Sequence, residues 1–246
     1  MKKFLYVIAI SILVAGCATT APIPKDQRAK IKEVGVISLV GEEFRFTKIG
    51  FTVFNNDEFT KNIAAWQLDK QIEQAVTDAL KGANPPIQMV VPSVDHNSLY
   101  KLYRQKGAFG SYVSLDRIEN DLKALLNKQP MDALILVHNE QVQDPILGTS
   151  IYLYGPGLYY RSLPFVDPFV KPHSFLRVII LDGKTLQPLG QRLIQGVSKD
   201  YGKMELSWDD EVKNSLSEKL WSKFQVDIEQ LVRENVTNSL QEMGLQ

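Results

Sequence analysis

"ALILV", residues 133–137, is the stretch that decides the fold. A strand points successive side chains to opposite faces, so five apolar residues without a polar alternate need cover on both sides. That reads as the central strand of a sheet with helices packed on it. Pro130 separates it from Ser114 to Lys128, where Leu115, Ile118, Leu122, Leu125 and Leu126 share one helical side and Ser114 is placed as N-cap. Further back, Ile87 to Val91 reads as a short strand. Ala65 to Leu80 reads as a core-facing helix carrying Leu68, Ile72, Ala75, Val76, Ala79 and Leu80, stopped by Gly82 and Pro85-Pro86. Ile31 to Val40 and Phe44 to Phe54 are strand-like and are expected to pair as a bent ribbon, with Asn55 to Asn62 as a polar turn.

On the other side of the run, Phe175 to Leu181 and Leu189 to Val197 flank an Asp182-Gly183 turn and predict a hairpin. Trp208 to Gly244 is helical. Its apolar residues step by four, and each step drifts about 40° on a helix of 3.6 residues per turn. A break near Ser217 is therefore expected, with Leu220, Trp221, Phe224, Ile228, Leu231 and Val232 as the core face. The alternation of strands and helices predicts a single α/β domain over residues 31–246, with a mixed sheet, packed helices and a long C-terminal helical segment.

Between the central strand and the hairpin lies an aromatic, Pro-rich insertion, residues 146–172. It is expected to start as a ribbon turned at Gly155-Pro156-Gly157 and to continue as an arm extended by Pro164, Pro168 and Pro172. Tyr152, Tyr154, Tyr159, Tyr160, Phe165 and Phe169 are its candidate binding residues, forming a flap that faces a partner or covers its own core.

The N-terminus has a basic start (Lys2, Lys3), an apolar run from Phe4 to Ala15 and small residues before Cys17. The run is shorter than the roughly 20 residues a spanning helix needs, and it reads as a signal peptide, residues 1–16. Leu13-Val14-Ala15-Gly16-Cys17 resembles the lipobox of bacterial lipoproteins. The resemblance implies cleavage after Gly16 and lipidation of Cys17, with acyl chains such as palmitate as the membrane anchor. Ala18, where an inner-membrane-retained enterobacterial lipoprotein usually has Asp, implies the outer membrane, facing the periplasm. Residues 17–30 are polar and Pro-containing and read as a flexible tether. Cys17 is the only cysteine, so the fold stands without disulfides.

The mature domain also resembles, in element order, the envelope lipoproteins that include CsgG and the TolB N-terminal-like domains. The residues concerned are the lipobox, the "ALILVHNEQV" strand and the "RVIILDGKTLQPLG" hairpin. Fold resemblance of this kind implies an architecture and leaves function open.

Removing the two leader lysines from a chain of 28 basic and 28 acidic residues leaves a net charge of minus two. So balanced a surface gives no electrostatic case for nucleic acid as a partner. Gly183-Lys184-Thr185 lacks the glycine five positions upstream that a phosphate loop needs; Val178 stands there. In Gly155-Pro156-Gly157, Pro156 removes an N–H and Tyr160 replaces the third glycine of a dinucleotide fingerprint. Gly107 to Ser111 does not fit a nucleophile elbow, because Phe109 stands where the serine would be. The histidines, His96, His138 and His173, lack metal-ligand spacing, so neither a metal nor another cofactor is expected. Asp209, Asp210 and Glu211 fit the start of a helix, where they complement its dipole.

Three functions remain. A non-enzymatic interaction or assembly factor of the envelope, binding another protein or itself, leads. An oligomeric secretion channel would use Ile146 to Tyr154 and Leu158 to Val166 as barrel strands. A periplasmic hydrolase would use His138 at the end of the central strand.

Overall fold

The computed structural model describes residues 20–104, 115–163, 166–198 and 207–246. Ten strands form a mixed sheet among the described residues. The predicted central strand is β6, Ala133–Asn139, buried throughout. It lies between β2 (Glu33–Leu39), parallel to it, and β9 (Val166–Asp182), antiparallel. Ala133, Ile135 and Val137 enter one core layer and Leu134 and Leu136 the other, which is why the run has no polar alternate.

Four helices longer than one turn cover the sheet. Leu68–Leu80 (α2) and Glu218–Glu242 (α5) lie on one face, through Ile72, Val76, Phe224, Ile228 and Val232. His96–Tyr103 (α3) and Glu119–Lys128 (α4) lie on the other, through Leu99, Tyr103, Leu122 and Leu126. A single-turn helix, Lys25–Arg28, is α1. The helix α4 begins later than its apolar pattern suggested, after a 3₁₀ turn at Leu115–Arg117; Ser114 lies outside the described residues. The helix α3 has a polar-looking sequence whose signal is its Asp95 cap, which accepts from Ser98 N at 3.2 Å.

The break near Ser217 is present. Trp208–Lys213 is a π-helical turn, and Ser217 Oγ caps α5 by accepting from Leu220 N at 3.3 Å. The buried stripe of α5 nevertheless continues through Val236 and Leu240, past the expected end of the core face. Two surfaces cover it, the sheet on one side and α2 on the other, so a drifting stripe stays buried.

Three expectations are corrected. First, β2 and β3 (Glu43–Ile49) do not form a ribbon with each other: β2 pairs with β6 and with β5 (Gln88–Val90). The strand β3 pairs with Asp57–Asn62, an edge strand (β4) where a polar turn was expected, and β4 uses Phe59 to stack on Phe46 at 4.5 Å.

Second, Thr20–Ala21 (β1) pairs with Arg192 and Gln191 of β10 (Pro188–Val197), so the tether is folded from Thr20 onward. Arg28 is buried and donates to the Gly244, Leu245 and Pro85 carbonyls, holding the C-terminal end of α5. A lone arginine in a polar stretch carries no sequence signal for such a role.

Third, the insertion is not a separate flap. It forms Tyr152–Leu163 (β8), which pairs with Gln141–Gln143 (β7), and the first half of β9, and β8 is built into the sheet between β3 and β9. Its prolines are accommodated at the edges of the pairing. Ser198 N donates to Pro172 O, so the backbone of Pro172 faces away from β8, and Pro168 falls where the β8–β9 register shifts, between Phe169 and Val166. Pro156 falls between the part of β8 paired with β7 and the part paired with β3.

The Asp182 hairpin is present between β9 and β10. Asp182 Oδ1 accepts from Lys184 N and Thr185 N at 3.0 and 2.8 Å, so the Gly-Lys-Thr letters belong to a turn.

Candidate functional site

The carboxyl end of β2 opens into a crevice between the starts of α2 and α3. Strand ends in open α/β sheets, with helices leaving on opposite faces, are where ligands commonly sit. Two adjoining cavities of about 410 and 460 Å³ share Gly41, Glu42, Asp69, His96 and Asn97 as lining. The chain turns at Gly41 with φ +77°, against the ring of Tyr100, where any Cβ would collide.

Asp69, in the first turn of α2, accepts from Ser38 Oγ at 2.5 Å, Val40 N at 2.8 Å and Gly41 N at 3.0 Å. One turn on, Glu73 accepts from Ser38 N at 3.0 Å and lies 3.5 Å from His96 Nδ1. Burial pushes both carboxyls above their ordinary range, against the pull of these donors. On the α3 side, Arg104 bonds Glu43 at 2.7 Å and Tyr100 OH at 2.8 Å, and lies over the Tyr154 ring.

The chemistry available here is limited. The oxygens of Asp69 are committed to the β2–β3 turn, Ser38 is wholly buried behind it, and His96 stands beside Glu73 and not beside the serine. Asp69 acts as a latch between turn and helix. Among the described residues there is no cluster of three metal-ligating side chains.

His138 does not reach the crevice. Its ring is 4 % exposed, packs edge-on against Tyr103 at 5.2 Å and bonds the Asn139 carbonyl through Nδ1 at 2.8 Å. Burial lowers its pKa to about 4, so it is a neutral core residue and the hydrolase reading loses its base. His173 is more extreme: it stacks on Phe175 at 4.7 Å, neither ring nitrogen has a bonding partner, and burial lowers its pKa to about 3. The Gly155 backbone opposes that shift without meeting bonding geometry.

A pH dependence follows. An unfolded histidine, with a pKa near 6.5, binds a proton at pH 5 that these two folded rings refuse. Their contribution to stability is therefore complete above about pH 6.5 and is lost as the pH falls towards about 4. The raised carboxyls Asp69 and Glu73 act in the opposite sense. The urea midpoint is expected to fall between pH 7 and pH 5, and to fall less in His173→Phe, whose ring keeps the stacking without the titration.

The six aromatic candidates separate. Tyr159 and Tyr160 are buried: Tyr159 OH donates to Asp144 at 3.2 Å, and Tyr160 packs on Trp208 at 5.1 Å. They are core residues and present no surface to a partner. Tyr154 is half-buried under Arg45 and Arg104, and Phe169 is half-buried against Tyr159. Tyr152 alone among the described five is exposed, at 56 %. Phe165 and Cys17 lie outside the described residues. From Gly155 to Tyr160 both faces of β8 are filled by this chain's own side chains, Leu158 and Tyr160 on one and Tyr159 on the other, which counts against its reading as a lipid-facing barrel strand.

Asp57 bonds Lys213 at 2.8 Å and Trp208 Nε1 at 2.9 Å, and these contacts hold its carboxyl below the usual range. Asp209, Asp210 and Glu211 sit in the π-helical turn. Glu211 accepts from Ser207 N, and Ser207 Oγ accepts from Asp210 N, as in a capping box.

Sequence reasoning missed one surface. Phe51, Val53 and Phe54, in the β3–β4 turn, are 71, 75 and 94 % exposed. The strand-like stretch was expected to run from Phe44 to Phe54, with the turn beginning only at Asn55; the strand ends at Ile49, and Gly50 is the residue that marks the break.

No known protein family and no curated protein matches the chain. Solved structures give loose matches. A PelC dodecamer from Paraburkholderia phytofirmans is 9 % identical over 91 % of this chain and 94 % of its own, with a TM-score of 0.35. The hypothetical protein CT253 of Chlamydia trachomatis is 10 % identical over 88 % and 99 %, at 0.38. Lipoprotein GNA1162 of Neisseria meningitidis is 11 % identical over 81 % and 97 %, at 0.30. At these scores nothing of those proteins' roles carries over, and what this chain shows by itself is a single mixed α/β sheet with a long C-terminal helix.

Proposed function

We propose that the chain is a lipid-anchored lipoprotein of the outer membrane, facing the periplasm and acting without catalysis as an interaction or assembly factor. The observation that carries this is the position of Thr20. It is already paired with Arg192 at the sheet edge, three residues after the cysteine of the lipobox. Three extended residues reach about 10 Å, so acyl chains on Cys17 would hold the whole domain against the bilayer. No helix of the described residues is long and apolar enough to cross a membrane. The non-catalytic part is supported by the burial of His138 and by the commitment of Asp69 to backbone donors.

Cell fractionation tests the anchor. The wild-type chain is expected in the membrane pellet after high-salt washing, labelled by a palmitate analogue. Cys17→Ser should lose the label. A wild-type chain that is unlabelled and salt-extractable would refute the proposal.

A further inference from the structure

We infer that Phe51, Val53 and Phe54 form a membrane-contacting tip that dips into the interface of the bilayer to which Cys17 is anchored; this rests on the lipidation proposed above. The turn is built to hold them out. Asn55 N donates to Thr52 O at 3.0 Å and Asn56 N to Val53 O at 3.3 Å, closing a 3₁₀ turn. Thr52 Oγ1 donates to Asn55 Oδ1 at 2.7 Å, and Gly50 N to Asn56 Oδ1 at 3.0 Å. A Cβ on Gly50 would fall 2.2 Å from Asn55 Cβ, so the base of the turn closes only with glycine. The result is a convex knob of two phenylalanines and a valine on a fixed backbone. Ordinary turns in a water-facing loop do not place three large apolar side chains outward together.

Strand register puts this knob at the end of the sheet from which the anchor leaves. Tracing β1 back from Ala21 to Thr20 moves along β10 from Gln191 to Arg192, towards Val197 and its partner His173. Ile49, the last residue of β3, is level with Arg161 of β8 and, through it, with Phe169 of β9, further in that same direction. The described backbone of the β8–β9 hairpin also ends there, at Leu163 paired with Val166.

From the level of Thr20, which is that of Val178, to the level of Phe169 is nine residues of β9, about 30 Å at 3.3 Å per residue. The three residues from Cys17 to Thr20 supply about 10 Å of this. With the strands inclined to the bilayer, anchor and knob meet one surface, and two attachment points fix the orientation of the domain. A fluid bilayer interface receives a convex apolar knob without a matching pocket, and interfacial elements bury their apolar side by about 5–10 Å. Residues 50–56 carry no charged side chain, so this contact needs no anionic lipid.

The test uses the lipidated protein in phosphatidylcholine vesicles. Phe54→Cys carries the only free thiol if Cys17 is consumed by its thioether, so an environment-sensitive NBD dye attaches once per chain. Val91→Cys, at a residue 83 % exposed in the loop after β5, is the control. With nitroxide groups on the lipid acyl chains, quenching at position 54 is expected to exceed that at position 91 by roughly threefold or more, given insertion to interfacial depth. Equal and weak quenching at both, with one dye per chain, overturns the inference while leaving the anchor intact. Two dyes per chain would show instead that Cys17 is unmodified and that the lipidation reading has failed. An unquenched dye at position 54 that is shielded by a second copy, seen as concentration-dependent dimer crosslinking, also overturns it.

Discussion

Asp69→Ala should lower stability by about 4 kcal/mol. The carboxylate serves Ser38 Oγ, Val40 N and Gly41 N at once. Removing it strands two backbone donors in a closed turn, at about 1–3 kcal/mol each, and leaves the fully buried Ser38 hydroxyl without its acceptor. For a domain of this size a loss of 1 kcal/mol shifts Tm by roughly 2–4 °C, so thermal unfolding should move down by about 10 °C. Asp69→Asn keeps one acceptor oxygen and turns an amide towards the remaining donor, and should fall between the two. An Asp69→Ala protein with unchanged Tm would mean that the carboxylate is free for a ligand and is not a latch.

The second large effect is expected at Phe46, which is fully buried in β3. It stacks on Phe59 at 4.5 Å, meets Phe44 edge-on at 5.0 Å and faces Trp221 of α5 at 6.1 Å. Trp221 in turn touches Trp66 at 4.8 Å, so one ring cluster ties the edge hairpin, the turn before α2 and the start of α5 together. Phe46→Ala should cost about 3–5 kcal/mol, the range for emptying a buried phenylalanine site. Because the cavity opens under α5, it should also reduce hydrogen-exchange protection at the start of that helix more than in β6. Equal loss everywhere would show that the cluster is not the local tie described.

The centre of the sheet was legible because burial on both faces leaves a mark that needs no partner: Ala133 to Val137 could be read from their own side chains. The helix break at Ser217 was legible for a similar reason, since the drift of a four-residue step is a property of one helix. The β8–β9 region was not, because its meaning depends on which edge each proline faces. Pro172 turns its backbone away from β8 and Pro168 sits at a register shift, both places where a strand tolerates proline; counting prolines alone suggested an unpaired arm. Pairing of β3 with β8 joins residues more than a hundred positions apart, and aromatic content alone could not separate the buried Tyr159 and Tyr160 from the exposed Tyr152. At the crevice, Asp69 and Glu73 looked like the polar side of a helix; only the turn at Gly41 reveals what they hold. The knob at Phe51 to Phe54 was hidden because apolar residues following a strand pattern are read inward by default.

The central claim is that this folded domain hangs from a lipid on Cys17. The mass spectrum of the N-terminal peptide of the protein purified from membranes tests it most directly. The account predicts a chain that starts at Cys17 and carries a diacylglyceryl thioether with a further acyl group on its amine. A peptide with a free Cys17 thiol, or one that starts elsewhere, would contradict it.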